Sequence, residues 1–176
     1  MMNRAVFLDR DGVVNKVILR DGKPYSPRTL EEFIFNDGIR EAVSRLKGRG
    51  FKILVVSNQP DVARGEITQS VLDLMTQRIR GEISVDGIYI CPHDDHHRCL
   101  CRKPKPGMLF QAMWEWDINL KSSFLIGDTW KDMEAGMAAG CKTILLDAPY
   151  NQDIQCDFRA KSLSEAIDFI LNPSSS

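Results

Sequence analysis

An alternating order of short apolar runs and amphipathic segments is the feature that most restricts the fold of this chain. The run FKILVVSN at residues 51–58 is rich in β-branched side chains, which is typical of a strand buried on both faces. Similar runs predict further strands over residues 5–8, 86–91, 122–128 and 142–147. Apolar residues at helical spacing predict helices over residues 39–49, 68–83, 108–116, 130–139 and 162–171. This order predicts an α/β fold with a doubly wound, mainly parallel sheet and helices on both faces.

The remaining segments and the length of the chain indicate one domain. The polar stretch at residues 16–38 is interpreted mainly as a loop, and it leaves no room for a large cap domain. The last helix begins at Ser162 or, two residues later, at Ser164. A chain of 176 residues fits a single domain, which we place at residues 1–172, followed by a disordered tail at residues 173–176.

Composition and charge narrow the classes of partner. The net charge of −1 gives no overall field that would attract nucleic acid or an anionic membrane. No apolar run reaches the roughly 18 residues that a membrane span needs. The first predicted strand follows the N-terminus directly and leaves no room for a signal peptide, so we expect a cytoplasmic protein. We expect a monomer that acts on a small phosphorylated metabolite, for the reasons that follow.

Two carboxylates come directly after the first strand. Asp9 and Asp11 are separated by one residue and are followed by Gly12. If the strand continues through Asp11, both side chains point to the same side, at the sheet edge where open α/β folds bind ligands. Like charges this close need a proton or a cation, and a divalent metal with oxygen ligands satisfies that need. The alternative is an ordinary polar turn, in which Asp and Gly are common.

Polar clusters are expected at the carboxyl ends of several strands, and these ends meet at one edge of a parallel sheet. They are Asp9 with Asp11, Ser57 with Asn58, Arg102 with Lys103, and Asp128 with Asp132. One carboxylate can attack phosphorus and another can protonate the leaving oxygen, while a hydroxyl, a lysine and Mg²⁺ hold the phosphoryl group. Each cluster alone also fits a turn, a solvated loop or the first turn of a helix. Their joint order favours phosphoryl transfer.

A second constellation lies in the polar loop that follows the third strand. Three thiols and an imidazole form a complete tetrahedral set for structural zinc, namely Cys91, His93, Cys99 and Cys101. His96 or His97 could replace His93, because both lie within reach. The alternative is a loop of free cysteines. A zinc ion here would fix the loop that delivers Arg102 and Lys103.

These motifs resemble a known group of enzymes over nearly the whole chain. The order DRDGVVN, VVSNQ, CRKPKPG and GDTWKDM resembles the haloacid dehalogenase (HAD) superfamily of Mg²⁺-dependent phosphatases. The resemblance implies Asp9 as nucleophile and Asp11 as general acid and then base. It also implies that Ser57 and Lys103 hold the phosphoryl group. The Mg²⁺ site would use Asp9, the backbone carbonyl of Asp11 and Asp128, with Asp132 orienting that site.

The zinc loop narrows the resemblance to the heptose-bisphosphate phosphatases and the related histidinol-phosphate phosphatases. NQPDVARG resembles the heptose branch's NQSGIARG, and CRKPKPGM resembles its CRKPHPGM. The resemblance implies substrate contacts that involve Tyr25, Asn58, Gln59, Arg64 and Arg102. The chain departs from this pattern at Pro60-Asp61 and at Thr129, where the best-known heptose enzymes carry a lysine.

The resemblance implies a Mg²⁺-dependent phosphatase that works through an aspartyl phosphate, with a structural Zn²⁺. The expected substrate is D-glycero-D-manno-heptose 1,7-bisphosphate, dephosphorylated at C7 on the way to a nucleotide-activated heptose for a surface polysaccharide. Histidinol phosphate or another small sugar phosphate is the alternative substrate. A non-catalytic module that keeps the fold as a binding surface is the alternative from another class.

Overall fold

The computed structural model describes residues 2–172, so the predicted disordered tail at residues 173–176 lies outside the described part. A six-stranded sheet forms the centre of the molecule, with strands β1 Arg4–Leu8, β4 Phe51–Asn58, β5 Gly87–Cys91, β6 Phe124–Gly127, β7 Lys142–Leu146 and β8 Phe158–Ala160. The strand order across the sheet is β5-β4-β1-β6-β7-β8. All neighbouring pairs in this sheet are parallel, which confirms the predicted fold class.

Helices cover both faces of the sheet. They are α1 Ile39–Gly48, α2 Gln69–Glu82, α3 Gly107–Trp116, α4 Trp130–Ala139 and α5 Leu163–Leu171. Alternate residues of β4 belong to opposite cores: Ile53 and Val55 pack in the cluster with α1, α2 and α5, whereas Leu54 and Val56 pack in the cluster with α3 and α4. The β4 side chains from Ile53 to Val56 are fully buried, as expected for a strand with helices on both faces.

The structure contains strands that the sequence reading missed. The stretch at residues 16–38 includes an antiparallel hairpin of β2 Ile18–Arg20 and β3 Lys23–Tyr25. Its turn consists of Asp21 and Gly22, both with positive φ (50° and 73°), as a type I′ hairpin turn requires. The edge strand β8 was also missed, because a strand of 3 residues has too little apolar pattern to be recognised.

Helix ends follow local capping chemistry. Thr68 begins α2 and accepts a hydrogen bond from Val71 N, and Ser162 begins α5 and accepts one from Glu165 N, so the first of the two expected start sites is correct. Within the described residues, no helix is long and apolar enough to cross a membrane. The fold brings the carboxyl ends of β1, β4 and β6, three neighbouring strands, to the edge where the polar clusters were expected.

Candidate active site

A turn, rather than strand alternation, brings the first two carboxylates together. Strand β1 ends at Leu8 and does not continue through Asp11, as shared orientation along a strand would require. The N–H of Val14 donates to the carbonyl of Arg10 at 2.8 Å and to that of Asp9 at 3.3 Å, which closes a tight turn around Asp11. Asp9, at the start of this turn, is 8 % exposed and lies at the bottom of the site.

Lys103 links the nucleophile candidate to the acidic residue of the last motif. Its Nζ donates to Asp9 Oδ1 at 2.8 Å, to Asp132 Oδ1 at 2.6 Å and to the carbonyl of Val56 at 2.8 Å. Burial alone would lower the pKa of Lys103, but the charges of Asp132 and Asp9 outweigh it and raise this pKa. The Lys103 ammonium therefore stays charged inside the site.

Asp132 is fully buried and has a second task at the start of α4. Its Oδ2 accepts hydrogen bonds from the N–H of Thr129 at 3.1 Å and from Thr129 Oγ1 at 2.7 Å. Asp132 therefore caps the helix and orients Lys103 at the same time.

The Asp128 side chain packs against the backbone of Gly12, at a position where only glycine leaves enough room for it. A Cβ atom on Gly12 would lie 2.1 Å from Asp128 Oδ2, and Gly12 has φ of +92°. Tyr150 donates its hydroxyl to the same oxygen at 2.6 Å. Within the described residues, the buried Asp128 Oδ1 has no hydrogen-bond partner. A buried carboxylate oxygen without a donor fits a cation ligand.

Burial and mutual repulsion raise the pKa values of the clustered carboxylates. Burial, together with repulsion from Asp132, raises the pKa of Asp9 to about 7, although Lys103 opposes the shift. Burial and the neighbouring Asp9 and Asp132 also raise the pKa of Asp128 well above its ordinary value. One oxygen from each of Asp9, Asp128 and Asp132 lies within 4.8 Å of the others. The residues present fit Mg²⁺, which favours carboxylate and carbonyl oxygens.

Asp11 sits in a dense hydrogen-bond network. Arg10, whose side chain is fully buried, donates Nε and Nη2 to its two carboxylate oxygens at 3.0 and 3.1 Å. Asn15, Ser26 and Gln59 donate three further hydrogen bonds of 2.7–2.9 Å. Burial pushes the pKa of Asp11 upward, but the Arg10 charge and these donors outweigh it, so the pKa lies below its ordinary value. The free site holds Asp11 as a carboxylate.

The polar residues after β4 connect the strand with the loop that carries Lys103. Asn58 donates to the carbonyl of Lys103 at 2.9 Å and accepts from its N–H at 3.0 Å. Ser57 Oγ accepts from Gln59 Nε2 at 2.9 Å, which leaves the Ser57 hydroxyl hydrogen available for donation. Gln59 is fully buried and its amide faces Asp11 and Ser57. Gln59 therefore holds the side chains of Asp11 and Ser57 in position, whereas the resemblance implied a direct contact with substrate.

The cysteine loop brings its four expected ligands together. The Sγ of Cys91 lies 3.5 Å from His93 Nδ1, 3.6 Å from the Sγ of Cys99 and 3.2 Å from the Sγ of Cys101. In tetrahedral zinc sites with Zn–S and Zn–N bonds of about 2.3 and 2.0 Å, neighbouring ligand atoms lie roughly 3.5–3.8 Å apart. The donor set and the spacing fit zinc. His97 instead accepts from the N–H of Asp94 at 3.1 Å, so it serves the adjoining turn.

A pocket of about 260 Å³ opens next to Asp9. Its wall contains four of the five expected substrate contacts together with one lysine that the sequence analysis did not select. These residues are Tyr25, Asn58, Arg64, Arg102 and Lys131. The positive charges of Arg64, Arg102 and Lys131 line the same pocket as the candidate nucleophile Asp9, which suits an anionic substrate.

Both arginines are paired with the cysteine loop. Arg64 donates Nε and Nη2 to the two oxygens of Asp94, each at 2.7 Å. Arg102 donates Nε to Asp95 Oδ1 at 2.6 Å. The hydrogen bond and charge of Arg102 hold the pKa of Asp95 below its ordinary value, and Lys131 contributes in the same direction. The Arg64–Asp94 pair therefore joins the loop after β4 to the cysteine loop, whereas the Arg102–Asp95 pair lies within the cysteine loop.

Sequence reasoning missed the residues that support the site from outside the motifs. Tyr150 lies in the loop after β7 and Ser26 lies directly after β3, and neither has a pattern that separates it from a surface residue. Arg10 was passed over because an arginine between two aspartates resembles a solvated side chain, although its charge pattern hinted at pairing. Lys131 was read only as part of the α4 motif.

Comparison with known proteins agrees with this geometry. Residues 100–155 match the family described as HAD-hydrolase-like. The chain is 38 % identical over 180 residues to the D-glycero-beta-D-manno-heptose-1,7-bisphosphate 7-phosphatase of Helicobacter pylori, covering 96 % of this chain and 98 % of that protein. It is 36 % identical over 174 residues to the D-glycero-alpha-D-manno-heptose-1,7-bisphosphate 7-phosphatase of Campylobacter jejuni, with 96 % of both chains covered.

A solved structure extends this likeness to three dimensions. The D,D-heptose 1,7-bisphosphate phosphatase of B. bronchiseptica, complexed with magnesium and phosphate, superposes with a TM-score of 0.85 at 26 % identity, covering 97 % of this chain and 99 % of that one. The predicted reaction class, phosphoric monoester hydrolysis, is confirmed by these relatives. The chain therefore belongs to the heptose-1,7-bisphosphate 7-phosphatase family of the HAD-like hydrolases.

Proposed function

We propose that this protein is a Mg²⁺-dependent phosphatase that removes the 7-phosphate of D-glycero-D-manno-heptose 1,7-bisphosphate during synthesis of nucleotide-activated heptose. The observation that carries the proposal is the convergence of Asp9, Lys103 and Asp128 beside one anion-adapted pocket. Family membership over 96 % of the chain supports the choice of substrate. We further propose that the protein is a single domain over residues 1–172 and acts as a monomer.

Asp9 is the nucleophile in this proposal. Its Oδ1 accepts hydrogen bonds from the N–H of Arg10 and from Lys103, both at 2.8 Å, which leaves Oδ2 free to attack. A bond forms between Oδ2 and phosphorus while the bond from phosphorus to the sugar oxygen breaks. Asp11 gives its proton to that oxygen, and the products are the alcohol and an aspartyl phosphate.

Asp11 must gain a proton before it can act as an acid. Its pKa is below the ordinary value in the free site, and the negative charge of an arriving phosphate next to Asp9 raises it. In the second step Asp11, again a carboxylate, takes a proton from water as the water oxygen attacks phosphorus. The bond from phosphorus to Asp9 breaks, inorganic phosphate leaves and both aspartates are restored.

Charge balance during both steps requires cations around the phosphoryl group. Mg²⁺, held by Asp9, Asp128 and the carbonyl of Asp11, would neutralise the phosphate and the surrounding carboxylates. Lys103, with its Nζ 2.8 Å from Asp9, holds a phosphoryl oxygen together with the Ser57 hydroxyl. Asp132 keeps Lys103 in place. Loss of either cation leaves a buried cluster of like charges.

Zinc has a structural role in this proposal. Cys91, His93, Cys99 and Cys101 supply four protein ligands, so no position remains for a reacting water. The sequence continues from Cys101 directly into Arg102 and Lys103. A zinc ion therefore fixes the backbone that places one substrate-binding and one phosphoryl-binding side chain.

A parallel substrate assay tests the proposal. The purified protein with Mg²⁺ is assayed for phosphate release from both anomers of heptose 1,7-bisphosphate and from histidinol phosphate. Both anomers are needed, because the relatives include enzymes named for each. We expect kcat/KM for one heptose anomer to exceed that for histidinol phosphate at least tenfold. Faster turnover of histidinol phosphate would overturn the assignment.

The variant Asp9→Asn tests the chemistry separately. It should abolish turnover of every phosphomonoester while the zinc content and the melting temperature stay near wild type, because Asn keeps the size of the buried side chain. Asp37→Asn, at a side chain that is 95 % exposed, is the matched control and should keep full activity. Residual turnover by Asp9→Asn would exclude Asp9 as the nucleophile.

A further inference from the structure

Two hydrogen-bond donors from different loops converge on one oxygen of Asp11. Ser26 Oγ and Gln59 Nε2 both donate to Asp11 Oδ2, each at 2.7 Å. Ser26 lies directly after β3, and Gln59 lies directly after β4. Strands β3 and β4 belong to different sheets, so strand pairing does not hold the two donors together. Contacts between the loops must therefore keep both donors on the same oxygen.

An ion pair joins these two loops at the same distance along the chain from each donor. Arg28 Nε donates to Asp61 Oδ2 at 3.0 Å. Arg28 is the second residue after Ser26, and Asp61 is the second residue after Gln59. The ion pair, the two short backbone segments and the two hydrogen bonds thus form a closed ring that includes the Asp11 carboxylate.

The Asp61 carboxylate is largely shielded from water and lies between two arginines. Its side chain is 13 % exposed and that of Arg28 is 30 % exposed, so solvent screens this pair less than a pair on the open surface. The other oxygen of Asp61, Oδ1, lies 3.7 Å from Arg64 Nη1. Arg64 in turn pairs with Asp94 of the cysteine loop. Asp61 therefore connects the loop after β3 with the loop after β4 and, through Arg64, with the cysteine loop.

We propose that the Arg28–Asp61 ion pair is a clamp that positions Asp11 for proton transfer to the leaving group. The inference rests on the proposed role of Asp11 as general acid and adds two residues that act through it. With the pair intact, the donors on the two loops hold the Asp11 carboxylate in one orientation. Without the pair, the loops can separate, and the carboxylate spends less time in the orientation that serves the leaving oxygen. Arg28 and Asp61 are therefore positioning residues.

The test compares two small substrates that differ in their need for an acid. Benzyl phosphate releases an alkoxide that must be protonated, whereas p-nitrophenyl phosphate releases a stabilised phenolate that needs no proton. Because kcat/KM covers only the steps up to departure of the leaving group, it excludes the later hydrolysis of the aspartyl phosphate. In Asp61→Asn and in Arg28→Gln, kcat/KM for benzyl phosphate should fall about tenfold, and that for p-nitrophenyl phosphate less than about twofold. The double variant should lose no more than either single variant, because both changes break the same pair.

Glu66→Gln is the matched control, because it removes the other ion pair of Arg28. Arg28 Nη1 lies 2.7 Å from Glu66 Oε2, and the Glu66 side chain is 46 % exposed and outside the ring. This variant should keep the ratio of kcat/KM values (benzyl over p-nitrophenyl phosphate). Melting temperatures establish folding, and Arg28→Gln, at a partly exposed side chain, decides the matter if Asp61→Asn does not fold. An unchanged or increased ratio in a folded clamp variant, equal losses on both substrates, or the same fall in Glu66→Gln would overturn the clamp.

The variant Asp11→Asn separates the clamp from the proposed mechanism. It should lower the same ratio at least as much as the clamp variants do. If it does not, Asp11 is not the general acid, and the mechanism and the clamp fail together. If Asp11→Asn lowers the ratio but Asp61→Asn and Arg28→Gln leave it unchanged, the mechanism stands and the clamp fails. Neither substrate is a heptose, so the clamp is tested even if heptose bisphosphate is not hydrolysed.

Discussion

The backbone of Gly12 packs directly against the carboxylate of Asp128 in the active site. A Cβ atom at Gly12 would lie 2.1 Å from Asp128 Oδ2 and 2.4 Å from its Cγ, distances that no real carbon side chain can adopt. The same glycine has φ of +92°, a conformation that other residues rarely take. Because Gly12 has no side chain, the Asp128 carboxylate, which follows β6, can approach the turn around Asp11.

Gly12→Ala should therefore damage the metal site more than the fold. Asp128 must move away from the added methyl group, and alanine at this φ adds backbone strain of about 1–3 kcal/mol. We expect Mg²⁺ affinity to fall at least tenfold and kcat to fall with it, as measured by calorimetric titration and by phosphate release.

Gly48→Ala is the matched control. Gly48 ends α1 with no heavy atom within 4 Å of an added Cβ, so this change should keep Mg²⁺ affinity and stabilise the helix by about 0.5–1 kcal/mol. Normal Mg²⁺ affinity in Gly12→Ala would refute the role of Asp128 as a ligand.

Cys101→Ser should release zinc and loosen the loop that carries Lys103. A zinc site with one ligand missing binds far more weakly, so metal analysis should find close to one zinc per chain in the wild type and almost none in the variant. The melting temperature should fall by several degrees, and kcat/KM should fall because Arg102 and Lys103 lose their anchor. Cys156→Ser, outside the ligand cluster, should keep zinc and activity. Zinc retention in Cys101→Ser would contradict the ligand set.

The fold was predictable wherever burial leaves a periodic pattern. The predicted helix over residues 130–139 coincides with α4 Trp130–Ala139, and the predicted strand over residues 51–58 coincides with β4 Phe51–Asn58. The hairpin β2–β3 was missed because its strands are short and largely exposed, which weakens the apolar alternation. Its Asp21-Gly22 turn was a usable signal, since this dipeptide favours type I′ turns.

The site was predictable where chemistry follows a strand end and not where it depends on loop packing. Asp9 and Asp128 were identified because each directly follows a predicted buried strand within a recognisable motif, and the structure pairs these two strands, β1 and β6, side by side. Tyr150 and Arg10 were not, because the direction of a loop side chain is set by tertiary contacts that leave no pattern in sequence. The same limit explains why Gln59 was expected to face substrate but is buried against Asp11.

Mg²⁺ binding should strengthen as the pH rises from 6 to 8. Burial and Asp132 raise the pKa of Asp9 from 3.8 to about 7, and Asp128 is raised as well, so below pH 7 the metal must displace bound protons. For one displaced proton with a pKa of about 7, the affinity should rise about tenfold over this range, and calorimetry in buffers of different ionisation enthalpy should detect proton release. A raised pKa in the folded state also means that the metal-free protein loses stability as the pH rises from about 4 to 7. Saturating Mg²⁺ should remove that loss, as thermal unfolding at pH 5.5 and 7.5 would reveal. A Mg²⁺ affinity that stays constant between pH 6 and 8 would show that these carboxylates do not share the metal.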